Sequence, residues 1–123
     1  MAGLHIENLS MRFDLPQGGA VQALKDVSID LKPGELLSVL GPSGCGKTTL
    51  LNIVAGFLAP TAGRITLNGN RVIGPGPDRG MVFQQGALFE WMNVRENVGF
   101  GPRMKGMKAG PKREIVDHLL DVV

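Results

Sequence analysis

The stretch Gly41-Pro42-Ser43-Gly44-Cys45-Gly46-Lys47-Thr48 constrains this 123-residue chain more than any other. Glycines 41, 44 and 46 let the backbone curl without side-chain clash, so that successive N–H groups can face one point. A lysine and a hydroxyl follow at once. Before the loop, Leu36 to Leu40 is nearly continuous in apolar character, which predicts a strand buried on both faces. After it, Leu50, Ile53, Val54 and Phe57 recur at helical spacing, with Leu51 and Leu58 beside them. That helix is apolar over most of its circumference and is expected to be buried. Strand, glycine loop and helix is the setting in which backbone amides and a helix N-terminus meet phosphate oxygens. Chance alone would produce the pattern in a chain of this composition roughly once in a hundred.

The chemistry assigns each position. Gly41, Pro42, Ser43, Gly44, Cys45, Gly46, Lys47, Thr48 and Thr49 are candidate nucleotide-binding residues for ATP with Mg²⁺. Lys47 is placed to bridge the β- and γ-phosphates and is a candidate catalytic residue, the Thr48 hydroxyl to complete the Mg²⁺ shell, and Thr49 to reach the α-phosphate side. Cys45, inside the loop, is a candidate for modification that competes with nucleotide.

Elsewhere the pattern is strand-like at first and helical later. Leu4, Ile6 and Leu9 predict a first strand, followed by Phe13 and a loop from Pro16 to Ala20. Val27, Ile29 and Leu31 alternate with Ser28 and Asp30 as a half-buried strand does, and Pro33-Gly34 supplies a turn. Ala59 to Gly63 ends the central helix. Ile65 and Leu67, Asn68-Gly69 and the returning Val72-Ile73 predict a hairpin. Gly74 to Pro77 is a loop, and Met81-Val82-Phe83 a short apolar strand running into Gln84-Gln85. Met92 to Val98 predicts a short helix, and Pro111 to Val123 an amphipathic one that is still in its apolar pattern at Val123.

Composition narrows the class. Hydrophobic content of 43% with 20% charge argues for a globular chain rather than a disordered one. The formal charge is +2, with a mild basic cluster of Arg103, Lys105, Lys108, Lys112 and Arg113. Without interleaved aromatics that cluster reads as a solvated surface rather than a nucleic-acid face. One cysteine allows no internal disulfide. Met1 to Ser10 lacks a signal-peptide pattern, and the longest apolar stretch, Leu50 to Ala59, is too short to span a bilayer. A cytosolic chain is expected, with any membrane link made through a partner. His5 and His118 have no second ligand at metal spacing.

Residues 41–51 resemble the phosphate-loop region of ABC-transporter ATPases. So do the preceding Leu24-Lys25-Asp26-Val27-Ser28 and Lys32-Pro33-Gly34-Glu35. The Gly63 to Gly69 stretch is similar to the hairpin that follows the first helix in that family, and Met81-Val82-Phe83-Gln84 to its Q-loop. The resemblance runs from about Leu4 to the end of the chain, and Gly74 to Gln84 looks most like the taurine, sulfonate and nitrate importer branch. The implied fold is α/β, a P-loop NTPase with a RecA/F1-like core and an N-terminal antiparallel β-subdomain. Residues 1–123 would be part of such a domain, with a helical subdomain starting near residue 87.

Resemblance also implies roles. Phe13 sits where the family stacks an aromatic on adenine. Gln84 matches the glutamine that approaches Mg²⁺ and the attacking water, a catalytic and metal-side role. Leu88 to Val94 resembles the segment facing the membrane subunit, although Glu90 stands where the family commonly has proline before the tryptophan. The implied partners are transmembrane permease subunits, a second ATPase subunit and, indirectly, a substrate-binding protein, with no nucleic acid. The implied place is the cytoplasmic side of the cell membrane, held peripherally by the permease.

The family's LSGGQ-type signature, Walker B aspartate with its glutamate, and switch histidine do not occur in the 123 residues. The expectation is a truncated or partial module that binds ATP-Mg²⁺ and hydrolyses it negligibly. Two alternatives stand beside it: a non-transport ATPase of the same type, acting in DNA repair or translation, and a non-catalytic nucleotide-binding fragment. A P-loop kinase is more distant, since it gives no reason for the Q-loop-like stretch.

Overall fold

The computed structural model describes residues 3–123. Met1 and Ala2, at the head of the stretch read above for a leader, lie outside the described residues. The chain forms two compact units that divide after Met81.

In the first unit, β1 (Leu4–Asp14) and β2 (Ala20–Leu31) form a long antiparallel hairpin. β3 (Ala62–Leu67) pairs with the other edge of β1, and β4 (Asn70–Arg71) closes a sheet of order β2-β1-β3-β4. The hairpin is not regular. Glu7 and Asn8 oppose only Ser28, between the pairs Ile6↔Ile29 and Leu9↔Val27. Lys25 and Asp26 in turn oppose only Ser10, before Met11↔Leu24. Two bulges therefore face each other across the ladder. Their residues Asn8 and Asp26 take φ of 47° and 49°, which Asn and Asp tolerate better than other side chains. Each bulged N–H, of Asn8 and of Asp26, donates to a serine hydroxyl on the opposite strand, Ser28 and Ser10, both at 2.9 Å. The bulges explain how Ile6, Leu9 and Met11 all lie buried although Ile6 and Leu9 are an odd number of residues apart.

The helix α1 (Lys47–Ala55) lies on this sheet through Leu50 and Ile53, which cluster with Ile6, Leu9, Met11, Leu24 and Ile65. Leu9 and Ile53 are 0% and 1% exposed. Gly56, at φ 85°, ends the helix: its N–H donates to Ile53 O and that of Phe57 to Asn52 O, so the last carbonyls are satisfied. The Asn68-Gly69 turn is present, with both residues at positive φ as a two-residue hairpin loop requires.

Several expectations need correction. Neither residues 36–40 nor 81–83 are strands. Leu36 and Leu40 are 93% and 91% exposed, while Leu37 and Val39 are about half that. A strand is held by its ladder, and neither segment pairs into the sheet of order β2-β1-β3-β4. Apolar composition without a partner does not make a strand. The helix α1 is buried on one side only, since Leu51 on it is half exposed, as is Phe57 just beyond its end. The return strand lies earlier than expected, at Asn70–Arg71 instead of Val72-Ile73; Val72 N still donates to Ile65 O at 2.9 Å, and Ile73 is exposed.

The second unit is helical. α2 (Val94–Val98) begins two residues later than Met92 because Asn93 and Glu96 form a reciprocal capping box. α3 (Phe100–Met104) was not anticipated, since a five-residue helix containing Gly101 and Pro102 leaves no periodic signal. α4 (Ala109–Val122) starts two residues before Pro111, whose missing N–H is tolerated in the first turn. Asn97 binds the preceding turn to α2: its Oδ1 accepts from Phe89 N at 2.8 Å, and its Nδ2 donates to the carbonyls of Phe89, Met92 and Asn93. Phe89 also packs against Trp91 and Phe100, with ring centroids 5.2 and 4.5 Å apart.

Two stability predictions follow from these contacts. Gly18 and Gly63 have nearly the same φ, 88° and 85°. A Cβ on Gly18 meets nothing within 4 Å, whereas one on Gly63 falls 2.4 Å from Asn8 O. Gly18→Ala should cost about 1 kcal/mol of left-handed strain, and Gly63→Ala clearly more, read by urea denaturation. Asn97→Ala should cost about 1–3 kcal/mol by leaving the Phe89 main chain unpaired, with faster hydrogen exchange at the Phe89 amide.

Candidate functional site

The loop before α1 is shaped by two turns. Cys45 N donates to Pro42 O at 3.3 Å, and Gly44 takes φ 80°. Gly46, at φ 98°, then turns the chain into the helix, whose first bond runs from Leu50 N to Gly46 O at 2.9 Å. Only glycine fits there: a Cβ would stand 2.6 Å from Ala23 O and 3.1 Å from the Leu24 side chain. The junction of loop and helix is thus set tightly against β2.

Lys47 folds back over the loop. Its Nζ donates to Gly41 O and to Pro42 O, the latter at 2.8 Å, and lies 3.5 Å from Cys45 Sγ. Among the described residues no carboxylate pairs with it. Its charge therefore meets only neutral acceptors at an exposed loop. The first turn of α1 carries no acidic residue and no side-chain cap, so its leading N–H groups face outward without an internal partner. An ammonium beside unpaired amides is an arrangement that suits phosphate oxygens, and Thr48 next to them is exposed. Thr49 is half-buried. The Cys45 thiol is exposed and folds over Gly41, since a Cβ on Gly41 would fall 2.6 Å from its sulfur.

The structure gathers residues 41–49 into one loop and helix start. Phe13 lies on the same unit near the far end of β1, opposite Val21, 37% exposed and outside the buried cluster. Gln84 belongs to the second unit, in an exposed bend. His5 pairs with Asp30 across the hairpin.

One residue went unnoticed in the sequence. Arg79, largely buried, donates from Nη2 to Gly74 O at 2.6 Å. That same carbonyl is where a Cβ on Gly56 would strike, at 2.2 Å. Arg79 thereby fastens the Gly74 loop against the C-terminal end of α1, the helix whose other end carries Lys47. In sequence it stood only as one member of the Gly74 to Gln84 stretch, an arginine among glycines and prolines with no role of its own.

The comparisons agree with this geometry. The ABC transporter family model matches residues 24–122. The taurine import ATP-binding protein of Ruegeria pomeroyi is 75% identical over 122 residues, covering 99% of this chain and 46% of that protein. Its counterpart in Pelagibacter ubique is 61% identical over the whole chain and 46% of its own length. An uncharacterized ABC transporter ATP-binding protein of Methanocaldococcus jannaschii is 45% identical over 120 residues. The chain thus spans about half the length of the curated relatives it matches. Among solved structures, a dimeric ATP-binding cassette in a post-hydrolysis state bound to ADP and Pi superposes with a TM-score of 0.83 at 28% identity, over 96% of this chain and 56% of that one. The antiparallel sheet, the glycine loop and the helix that carries Lys47 are thus the N-terminal portion of an ATP-binding cassette, and the chain belongs to the ABC transporter family.

Proposed function

We propose that this chain is the nucleotide-binding portion of the ATP-binding subunit of an ABC importer whose cargo is a small sulfonate such as taurine. The observation that carries the reading is the Lys47 ammonium, held over the loop by the Gly41 and Pro42 carbonyls without a carboxylate. Such a group exchanges neutral acceptors for phosphate oxygens with a gain, because charge-assisted hydrogen bonds are the stronger ones. The amides of residues 41–48 would bind the phosphates, Thr48 would take a Mg²⁺ site, and Thr49 would lie on the α-phosphate side. The magnesium ion supplies neutralisation of the phosphate charge when bound. Phe13, exposed at the sheet, is available for stacking on adenine, and Gln84 for the role its family counterpart has beside the metal. The taurine importers that share 61–75% identity support the cargo class. Permease subunits, a second ATPase subunit and a substrate-binding protein would be the partners, and attachment to the inner face of the membrane would be peripheral. No helix among the described residues is long and apolar enough to cross a membrane.

Calorimetric titration with Mg-ATP tests the site. Lys47→Ala should weaken uptake at least about tenfold, and Thr48→Ala should remove the benefit of Mg²⁺ while sparing binding in its absence. Undiminished uptake by the lysine variant would sink the assignment. The 123-residue chain alone should turn over ATP no faster than a buffer blank, because it carries no Walker B pair or signature. Measured turnover well above the blank would contradict the reading.

A further inference from the structure

The glycine loop sits at one end of α1, and the other end of that helix meets a buried charge. The Arg79 side chain is 13% exposed. Its Nη2 donates to Gly74 O at 2.6 Å, its Nη1 lies 3.5 Å from Asp78 Oδ2, and its Nε is buried with no hydrogen-bond partner among the described residues. Gly76 leaves room for this arrangement, since a Cβ there would stand 3.0 Å from Arg79 Nη2 and 2.5 Å from Asp78 Oδ1. Burying a guanidinium with an unmet N–H is unfavourable, and an apolar side chain of similar size would close the same loop with a smaller penalty. A residue that breaks a packing rule in this way is expected where position serves function.

The carbonyl that Arg79 holds is a stop for α1. A Cβ on Gly56 would fall 2.2 Å from Gly74 O and 2.7 Å from Pro75 N, so the helix ends directly against the Gly74–Pro75 peptide. At the opposite end a Cβ on Gly46 would fall 2.6 Å from Ala23 O. The two stops differ in kind. Ala23 lies within β2, whose neighbouring residues Gln22 and Leu24 both pair with β1. Residues 72–80 form no strand or helix, so the Gly74 stop is as firm as its bond to Arg79. A nine-residue helix is a rigid rod of roughly 14 Å, and play at Gly56 passes along it to Lys47. The last turn of α1 has no basic residue of its own. Arg79 brings a cation to that end, where it complements the helix dipole.

Resting on the nucleotide-binding reading of residues 41–49, we infer that Arg79 is a positioning residue for the nucleotide site. By clamping the Gly74 carbonyl against Gly56 it fixes the axial position of α1, and with it the Lys47 ammonium and the helix N–H groups that receive the phosphates. Arg79 touches no nucleotide atom, and its effect reaches the ligand through the helix. Phosphate held by several short contacts at once responds to small displacements of the donors.

The test compares Mg-ATP calorimetry and melting temperature in the 123-residue chain and its variants. Arg79→Met keeps an apolar stem, removes the clamp and relieves the buried guanidinium. It should weaken Mg-ATP binding about tenfold while the melting temperature stays unchanged or rises. Arg79→Lys, which returns one charged donor, should recover most of the affinity. Amide resonances of residues 44–49 should shift in the Arg79→Met chain before any nucleotide is added. Undiminished affinity in Arg79→Met, a loss accompanied by a lowered melting temperature, or no recovery in Arg79→Lys overturns the positioning role and leaves the glycine-loop reading in place. Mg-ATP binding that is absent from the unaltered chain, or indifferent to Lys47→Ala, overturns both.

Discussion

The first unit depends on one contact, the seating of α1 on the sheet through Leu50 and Ile53. The loop that carries Lys47 has few bonds of its own, and they lie in exposed backbone. Exposed hydrogen bonds exchange readily with water and add little net stability. Burying two aliphatic side chains adds about 1.5–3 kcal/mol each. The position of the glycine loop is therefore inherited from the helix behind it and from Gly46 pressed to β2. At the other end of the same helix, Gly56 and the Arg79-held carbonyl of Gly74 limit how far it can slide.

The face on which α1 rests exists only because the hairpin is irregular. With strict alternation, Ile6 and Leu9 would point to opposite sides of β1, and the helix would lose half of its floor. Paired bulges at Asn8 and Asp26 restore a common face, and the reciprocal serine hydroxyls meet the N–H groups that the bulges strand. Gly63, where a Cβ would fall 2.4 Å from Asn8 O and 2.5 Å from Glu7 O, lets β3 follow the same bend. A distortion in the first ten residues thus determines where a lysine nearly forty positions later comes to rest.

What could be read in advance followed from local chemistry. The glycine loop, the Asn68-Gly69 hairpin and the long last helix were legible because each rests on neighbours within a few residues. The bulges were not, since their logic appears only when two strands lie side by side; the odd interval from Ile6 to Leu9 was the available hint. The strands expected at residues 36–40 and 81–83 failed for a related reason. Their composition states what they would pair with, and this chain, spanning 46% of its relatives, presents a sheet of four strands that leaves them outside. Val82, 98% exposed, is apolar surface of that kind. Arg79 lay within the Gly74 to Gln84 resemblance but drew no role of its own, because its hold on the Gly74 carbonyl appears only once the loop is folded.

The glycine loop is also arranged before any ligand arrives. A free lysine side chain carries about 2 kcal/mol of rotamer entropy, and Lys47 has already surrendered much of it by bonding two carbonyls of its own loop. Those carbonyls bear partial charge only, so they hold the ammonium without competing strongly for it. A carboxylate in their place would fix the lysine as well and would resist its release to phosphate. Neutral acceptors thus give both order and ready exchange, and the absence of an acidic side chain in the first turn of α1 extends the same rule from one cation to the helix end beside it.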